Sequence, residues 1–369
     1  MSEAAPPPVQ AGRSDPEGRS EPRAYAALDL GTNNCRLLIA SPTARGFRVL
    51  EAFSRIVRLG DGLTHTGRLD GAAMDRALAA LAICADRIRR RGAPPLRAVA
   101  TQACRSAENG ADFIARVEAE TGLKLSIITP KEEARLSVAG CVALLDRDCD
   151  AALVVDVGGG STELSWIDLG QLRFDPARRP PHPARLPIKA WLSVPIGVVT
   201  LADRFPEPTE GREPWFRAMV EQVKDQIAAF EGAREMEEAF RSGRAHLIGT
   251  SGAITSLAGL HLGLPRYERA RVDGLWMTRE DCDTAAGKLM SMTARERAAQ
   301  PCIGPDRADL VLAGAAILQA VQELWPCSRV RVADRGLREG LLMSLMSKPP
   351  RRRRRSRRPP HFAAAGPTS

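Results

Sequence analysis

No apolar run in this chain reaches the roughly 18 residues that a membrane-spanning helix needs, so a helical membrane protein is excluded. The N-terminus mixes charges with prolines and lacks an apolar core of the signal-peptide kind, so no secretory signal is read. Residues 1–23 are expected to form a disordered leader. Eight cysteines occur (Cys35, Cys84, Cys104, Cys141, Cys149, Cys282, Cys302 and Cys327), without a CxxC or a Cys/His cluster at zinc spacing. Several sit inside apolar segments, where a free thiol behaves as a small hydrophobe. Reduced thiols in a cytoplasmic protein are the expectation. The five histidines form no metal-spaced pair. Neither GxxxxGK[ST] nor GxGxxG is present, which excludes a Walker nucleotide site and a simple Rossmann site. No Ser/His/Asp or aspartyl-phosphate arrangement is apparent, so a reaction at this protein's site is expected to use water directly.

Net charge is also scarce outside one segment. The chain carries +9, but Lys348, Arg351 to Arg355, Arg357 and Arg358 supply eight positive charges. Removing them leaves +1 for everything else. Residues 348–369 are therefore expected to be a disordered basic tail that attracts polyanions. Binding of nucleic acid is expected only weakly, through that tail.

What is present is an alternation of strands and helices. Residues 24–40 read as strand, glycine turn and strand, and "FRVLEAFSRIVRLGDG" continues the sheet. Met74, Leu78, Leu81 and Ile88 recur at helical spacing. "LRAVATQAC" reads as a strand, then a helix near 109–121, a strand "KLSIIT" and a helix from Pro130. The stretch "AALVVDVGGGSTELSWIDL" then begins the pattern again. Leu28-Asp29-Leu30-Gly31-Thr32-Asn33 matches Val155-Asp156-Val157-Gly158-Gly159-Gly160 in kind, which implies an internal duplication. Residues 171–190 hold five prolines and five basic residues and read as a long loop, since proline has no place in a central strand.

A glycine turn after a strand lets backbone N–H groups approach an anion with no Cβ in the way. Two such turns facing each other would clamp a phosphate chain. Thr129 and Glu132 fit a capping box with Pro130 at the first helical position. That leaves Glu133 free to point elsewhere.

The two glycine turns together resemble the acetate and sugar kinase/Hsp70/actin superfold. "ALDLGTNNCRLLIA", "ATQACRSAEN", "ITPKEEARLSVAG", "VVDVGGGSTEL" and "RGLREGLL", in that order, resemble the exopolyphosphatase/guanosine pentaphosphate phosphohydrolase (Ppx/GppA) family over roughly residues 24–346. The resemblance implies an α/β, duplicated, actin-like two-domain fold with the site in the interdomain cleft. Domain I is expected over 24–147 and domain II over 148–335, with a terminal helix 336–347 packing back on domain I. Three departures stand out. Asn34 replaces the usual Ser of the first loop, "CRSAEN" varies the Arg-containing segment, and no C-terminal HD-type domain is expected.

The resemblance implies roles. Glu133 is expected to be the general base, with Asp156 and Glu163 as further catalytic carboxylates that hold Mg²⁺. Asp29, Gly31, Thr32, Asn33, Arg105, Gly158, Gly159, Gly160 and Ser161 are expected to bind phosphate. Arg58, Thr250, Ser251 and Gly252 are expected along the distal substrate. Arg338 and Glu339 are expected to tie the last helix to the body. The implied activity is Mg²⁺-dependent release of orthophosphate from the end of inorganic polyphosphate. The alternatives are hydrolysis of the 5′-phosphate of guanosine pentaphosphate, a non-catalytic regulator that binds an alarmone, and a sugar or acid kinase. The family also permits a homodimer, although no interface is readable.

Overall fold

The structure is a computed structural model that describes residues 24–44, 46–172, 183–228, 230 and 232–347. The expected leader, the basic tail and residues 173–182 of the proline-rich loop lie outside the described residues.

The first sheet is built from β1 (Tyr25–Leu30), β2 (Asn34–Thr43), β3 (Gly46–Ile56), β4 (Leu96–Ala100) and β5 (Leu125–Ile127). Its order is β3-β2-β1-β4-β5. β1 to β3 meander antiparallel, whereas β4 and β5 join parallel to β1. The second sheet contains β6 (Ala151–Val157), β7 (Thr162–Asp168), β8 (Ile188–Val194), β9 (Ala245–Thr250), β10 (Trp276–Thr278) and β11 (Arg329–Ala333). Its order is β10-β11-β9-β6-β7-β8. β6, β7 and β8 meander as β1 to β3 do, and β9 and β11 add parallel strands on the other side. The second sheet thus repeats the first and adds β10 at its edge. The α/β, duplicated, actin-like class expected from the sequence is the one observed.

Parallel neighbours need crossover helices. Helix Gly71–Arg90 carries the first, with Ala77, Leu78, Leu81, Cys84 and Ile88 buried on one face. Asp70 caps it by accepting a hydrogen bond from the Ala73 amide at 3.1 Å. Among the described residues no helix is long and apolar enough to cross a membrane.

One expected strand ends early. "LRAVATQAC" is extended only to Ala100, and Gln102–Ser106 forms a short helix. The ladder stops there because its partner β1 ends at Leu30, which is paired with Ala100. Beyond that point the chain can turn, and Gln102 and Arg105 are carried toward the end of the sheet.

Two helices cross between the sheets. Helix Pro130–Cys141 follows β5, yet Val138, Ala139 and Cys141 pack with Ala152, Val154 and Ile248 of the second sheet. Helix Leu337–Met346 follows β11, and Leu341, Leu342 and Met346 pack with Ala27, Leu38 and Val99 of the first. Their backbones touch. A Cβ on Gly140 would stand 2.0 Å from the Gly336 carbonyl oxygen, and one on Gly340 would stand 2.0 Å from that of Leu136. Only glycine permits that approach. Each repeat thus sends one helix into the other, and the start of helix Pro130–Cys141 arrives at the β6–β7 turn.

Candidate active site

Both glycine turns open onto one cleft of about 490 Å³ between the two sheets. They share a bond pattern: the Gly31 amide donates to the Asn34 carbonyl at 2.8 Å, and the Gly158 amide donates to the Ser161 carbonyl at 2.9 Å. The turns also touch. A Cβ on Gly159 would lie 2.9 Å from Thr32 Cβ, and one on Gly160 would lie 2.9 Å from Thr32 Oγ1. Gly159 and Gly160 therefore serve close approach, and none of Gly31, Gly158, Gly159 and Gly160 is in the left-handed region.

The hairpin register explains the two carboxylates flanking the second turn. Asp156 and Glu163 are directly opposite across β6 and β7. Opposite residues in an antiparallel pair share one face, and like charges there are destabilising. Glu163 is almost fully buried, and its Oε1 accepts from the Ser161 and Ser193 hydroxyls, both at 2.8 Å. Asp156 accepts from the Ser137 hydroxyl. Burial and the neighbouring Asp156 push the Glu163 carboxyl up to about 7. Asp156 is likewise raised by burial, against the pull of Ser137 and Arg36.

Glu133 comes from the start of helix Pro130–Cys141. Thr129 caps that helix through the Glu132 amide at 3.2 Å, as the sequence suggests. The reciprocal half of the capping box is absent, because the Glu132 carboxylate pairs with Arg97 instead. Glu133 is turned inward and buried. Its Oε2 accepts from Arg105 Nη1 at 3.1 Å, and that nitrogen also donates to the Ile128 carbonyl at 2.7 Å. Arg105 Nη2 donates to Gln102 Oε1 at 2.6 Å. Burial raises the Glu133 carboxyl well above its ordinary range, with Glu163 and Asp156 reinforcing it and Arg105 opposing. Arg105 is absent from the cleft lining and stands behind Glu133, so its direct contact in this structure is with the carboxylate.

On the first turn Asp29 faces Arg36 across β1 and β2. Burial pushes Asp29 up to about 6, against Arg36 and Arg338. Asp29 Oδ1, Asn33 Oδ1 and Asn34 Oδ1 are buried without a protein hydrogen-bond partner.

A family model describing the Ppx/GppA phosphatase family matches residues 38–349. The chain belongs to the Ppx/GppA phosphatase family. It is 30% identical over 340 residues to Exopolyphosphatase 2 of Mycobacterium tuberculosis, covering 87% of this chain and 98% of that one. It is 28% identical over 333 residues to the guanosine-5′-triphosphate,3′-diphosphate pyrophosphatase of Photobacterium profundum. That match covers 88% of this chain but 59% of the relative, so the chain spans well under two thirds of it. In fold it resembles an exopolyphosphatase from Cytophaga hutchinsonii (TM-score 0.75, 24% identity, 88% and 98% covered). It also resembles the Ppx/GppA family member of Aquifex aeolicus (TM-score 0.67, 26% identity, 88% and 97% covered).

The cleft of this Ppx/GppA protein brings together Glu133, Asp156, Glu163, Asp29 and both glycine turns with Ser161, Thr250, Ser251 and Gly252. Of Thr250, Ser251 and Gly252, the first two have structural partners as well: Thr250 Oγ1 donates to the Arg335 carbonyl at 2.8 Å, and Ser251 Oγ caps helix Gly252–His261. Arg58 is not in the lining; its guanidinium reaches Asp309 at 2.8 Å instead. Arg338 lines the cleft, while Glu339 does the tying through Gly336 and Arg269 at 2.8 and 3.2 Å. Sequence reasoning also missed Arg36 and Arg307, both in the lining. The duplication could have found Arg36, because the offset relating Asp29 to Asp156 carries Arg36 onto Glu163.

Among the described residues no group of three or more His, Cys, Asp or Glu side chains is placed to hold a metal ion. Asp156 and Glu163 form a buried like-charge pair and still suit an ion of the Mg²⁺ type, which rests on one or two carboxylates and takes its other oxygens from phosphate and water.

Proposed function

We propose that this Ppx/GppA phosphatase is an exopolyphosphatase, removing orthophosphate from the end of inorganic polyphosphate by direct attack of water. Family membership makes the chain a hydrolase of phosphoanhydride bonds. The observation that carries the finer reading is Glu133, buried and held by Arg105 beside two facing glycine turns. Backbone amides of the turns bind and orient the terminal phosphates. Glu133 accepts the proton of the attacking water, for which a carboxyl raised well above its ordinary range by burial is a stronger base than an ordinary one. Arg105 fixes the Glu133 carboxylate in place. Asp156 and Glu163 are the residues that would hold Mg²⁺, which supplies counter-charge to phosphate oxygens.

Polyphosphate is favoured because the relative named for it matches along 98% of its length. The basic residues of 173–189 and of the tail fit a long polyanion as well. Guanosine pentaphosphate is the second reading, favoured by the similarity to the Photobacterium protein.

The test is phosphate release from polyphosphate, guanosine pentaphosphate and ATP, with Mg²⁺ or chelator, by wild type and Glu133→Ala. The expected outcome is release from polyphosphate first, abolished by chelator and reduced about 10²–10⁴-fold in the variant. Tight binding without release, unchanged by Glu133→Ala, would remove the hydrolytic reading.

A further inference from the structure

We propose that Arg58 and Asp309 form a latch across the mouth of the cleft, holding the first phosphate turn against the wall supplied by the second repeat. The loop 57–60 is bonded to the first turn along its backbone. The amides of Val57 and Arg58 donate to the Asn33 carbonyl at 2.9 and 3.1 Å, and the Gly60 amide donates to the Thr32 carbonyl at 2.9 Å. Any movement of this loop is therefore a movement of the turn.

From the same loop Arg58 reaches the second repeat beside the cleft. Its Nη2 lies 2.9 and 2.8 Å from the two carboxylate oxygens of Asp309 and 3.3 Å from the Asp306 carbonyl. Arg58 holds φ at 48°, a left-handed conformation that is uncommon for a residue with a side chain. The backbone thus carries strain at the residue that makes the crossing. Asp309 lies two residues beyond Arg307, which lines the cleft with its guanidinium against Gly252. The Arg307 carbonyl accepts from the Leu310 and Val311 amides, so Asp309 sits in the hydrogen-bonded turn that leads into helix Val311–Leu324.

The pair joins a turn from one repeat to the cleft wall of the other, 251 residues away in sequence. Both side chains are partly exposed, 31% and 51%, so the pair is weak enough to open. An ion pair of this kind shifts an open–closed equilibrium by up to about fivefold. Arg58 is thereby a positioning residue: it sets how the phosphate turn meets the cleft wall and does not itself bind phosphate.

The two roles separate at Asp309. Arg58→Gly removes the guanidinium and suits the left-handed backbone, and Asp309→Asn leaves Arg58 in place. A latch predicts that each variant raises KM for polyphosphate by about two- to fivefold with kcat held. The double variant is then no worse than either single one, because one interaction is lost in all three. If Arg58 is instead a phosphate ligand, Asp309→Asn frees it, KM falls or stays unchanged, and the proposal is overturned. This kinetic arm rests on the hydrolytic reading above. A second arm does not: amide hydrogen exchange of the substrate-free protein, read by mass spectrometry. Asp309→Asn is expected to speed exchange in the segments holding residues 31–33 and 57–60, although the substitution lies on the opposite side of the cleft. Unchanged exchange there would overturn the latch even in a protein that hydrolyses polyphosphate.

Discussion

The contact between the two crossing helices makes the sharpest claim about how this fold positions its chemistry. Consider Gly340→Ala. The new Cβ would stand 2.0 Å from the Leu136 carbonyl oxygen, 2.7 Å from its carbon and 3.0 Å from its Cα. All three atoms are backbone, so no rotamer change can relieve the clash. Ordinary contact begins near 3.4 Å, and the helices must separate by about 1.4 Å. Overpacking of this kind costs about 1–3 kcal/mol, occasionally more. Alanine also gains about 1 kcal/mol over glycine in a helix interior, which would mask part of the loss. Gly287→Ala supplies the control. Gly287 lies exposed within helix Arg279–Ser291, with nothing within 4 Å of its added Cβ. The two variants share the propensity gain, so their stabilities should differ by about 1–3 kcal/mol, with Gly287→Ala the more stable. Urea unfolding followed by circular dichroism measures that difference. Activity should separate them further. Leu136 lies one helical turn from Glu133, and a 1 Å displacement at a reacting group can cost about 10²-fold. Phosphate release by Gly340→Ala should fall about ten- to a hundredfold while Gly287→Ala keeps wild-type rates. Equal stability and equal rates in the two variants would refute the claim that this crossing places Glu133.

A further prediction concerns pH. His246 is buried, its Nε2 accepts from the Asp146 amide at 3.3 Å, and its Nδ1 has no partner. Burial pushes it down from 6.5 to about 4. Below pH 6.5 the unfolded chain takes up a proton that the folded protein refuses, so this stability is lost as pH falls toward 4. The loss is about 1.4 kcal/mol per pH unit and about 3 kcal/mol in all. Unfolding midpoints of wild type and His246→Asn across this window check it: the variant should show a flatter acid limb, and parallel curves would contradict the assignment.

The parts of the site that were legible in the sequence are those whose signals are local. Each glycine turn sits directly between two strands, so the Asp156–Glu163 hairpin could be read from one short stretch. Thr129 and Pro130 announced a helix start, and the position of Glu133 followed from it. The unread parts depend on distant partners. Glu132 was assigned to its own helix cap, but Arg97 from β4 takes its carboxylate. The short helix Gln102–Ser106 is hidden in the sequence because the end of β4 before it is set by the length of β1, a neighbour in space. Arg58 is expected from the sequence along the distal substrate, and its partner Asp309 arrives only when the second repeat folds against the first. Arg36 carries no local signal in the sequence, and its place opposite Asp29 is set by the strand register.

Arg36 also indicates how one duplicated hairpin supports two kinds of work. In the first repeat the register sets Asp29 opposite Arg36, an acid facing a base. In the second it sets Asp156 opposite Glu163, two acids face to face. The first pairing is favourable and is a reason for a side chain pair at this position to persist in a folded hairpin. The second is unfavourable, and burial makes it more so: burial and the facing Asp156 raise the Glu163 carboxyl. A like-charge pair kept in a buried hairpin calls for compensation, and the fold offers some within the protein: hydroxyls of Ser137, Ser161 and Ser193 donate to the two carboxylates. Hydroxyl donors lessen the repulsion without neutralising it, which leaves the second repeat receptive to positive charge. The first repeat carries Arg36 and suits the negative charge of phosphate. At this one register position the two copies of the strand–turn–strand unit thus carry opposite charges, Arg36 in the first and Glu163 in the second, and under the proposed hydrolysis these would meet its two demands, counter-charge for phosphate and a site for a cation or proton.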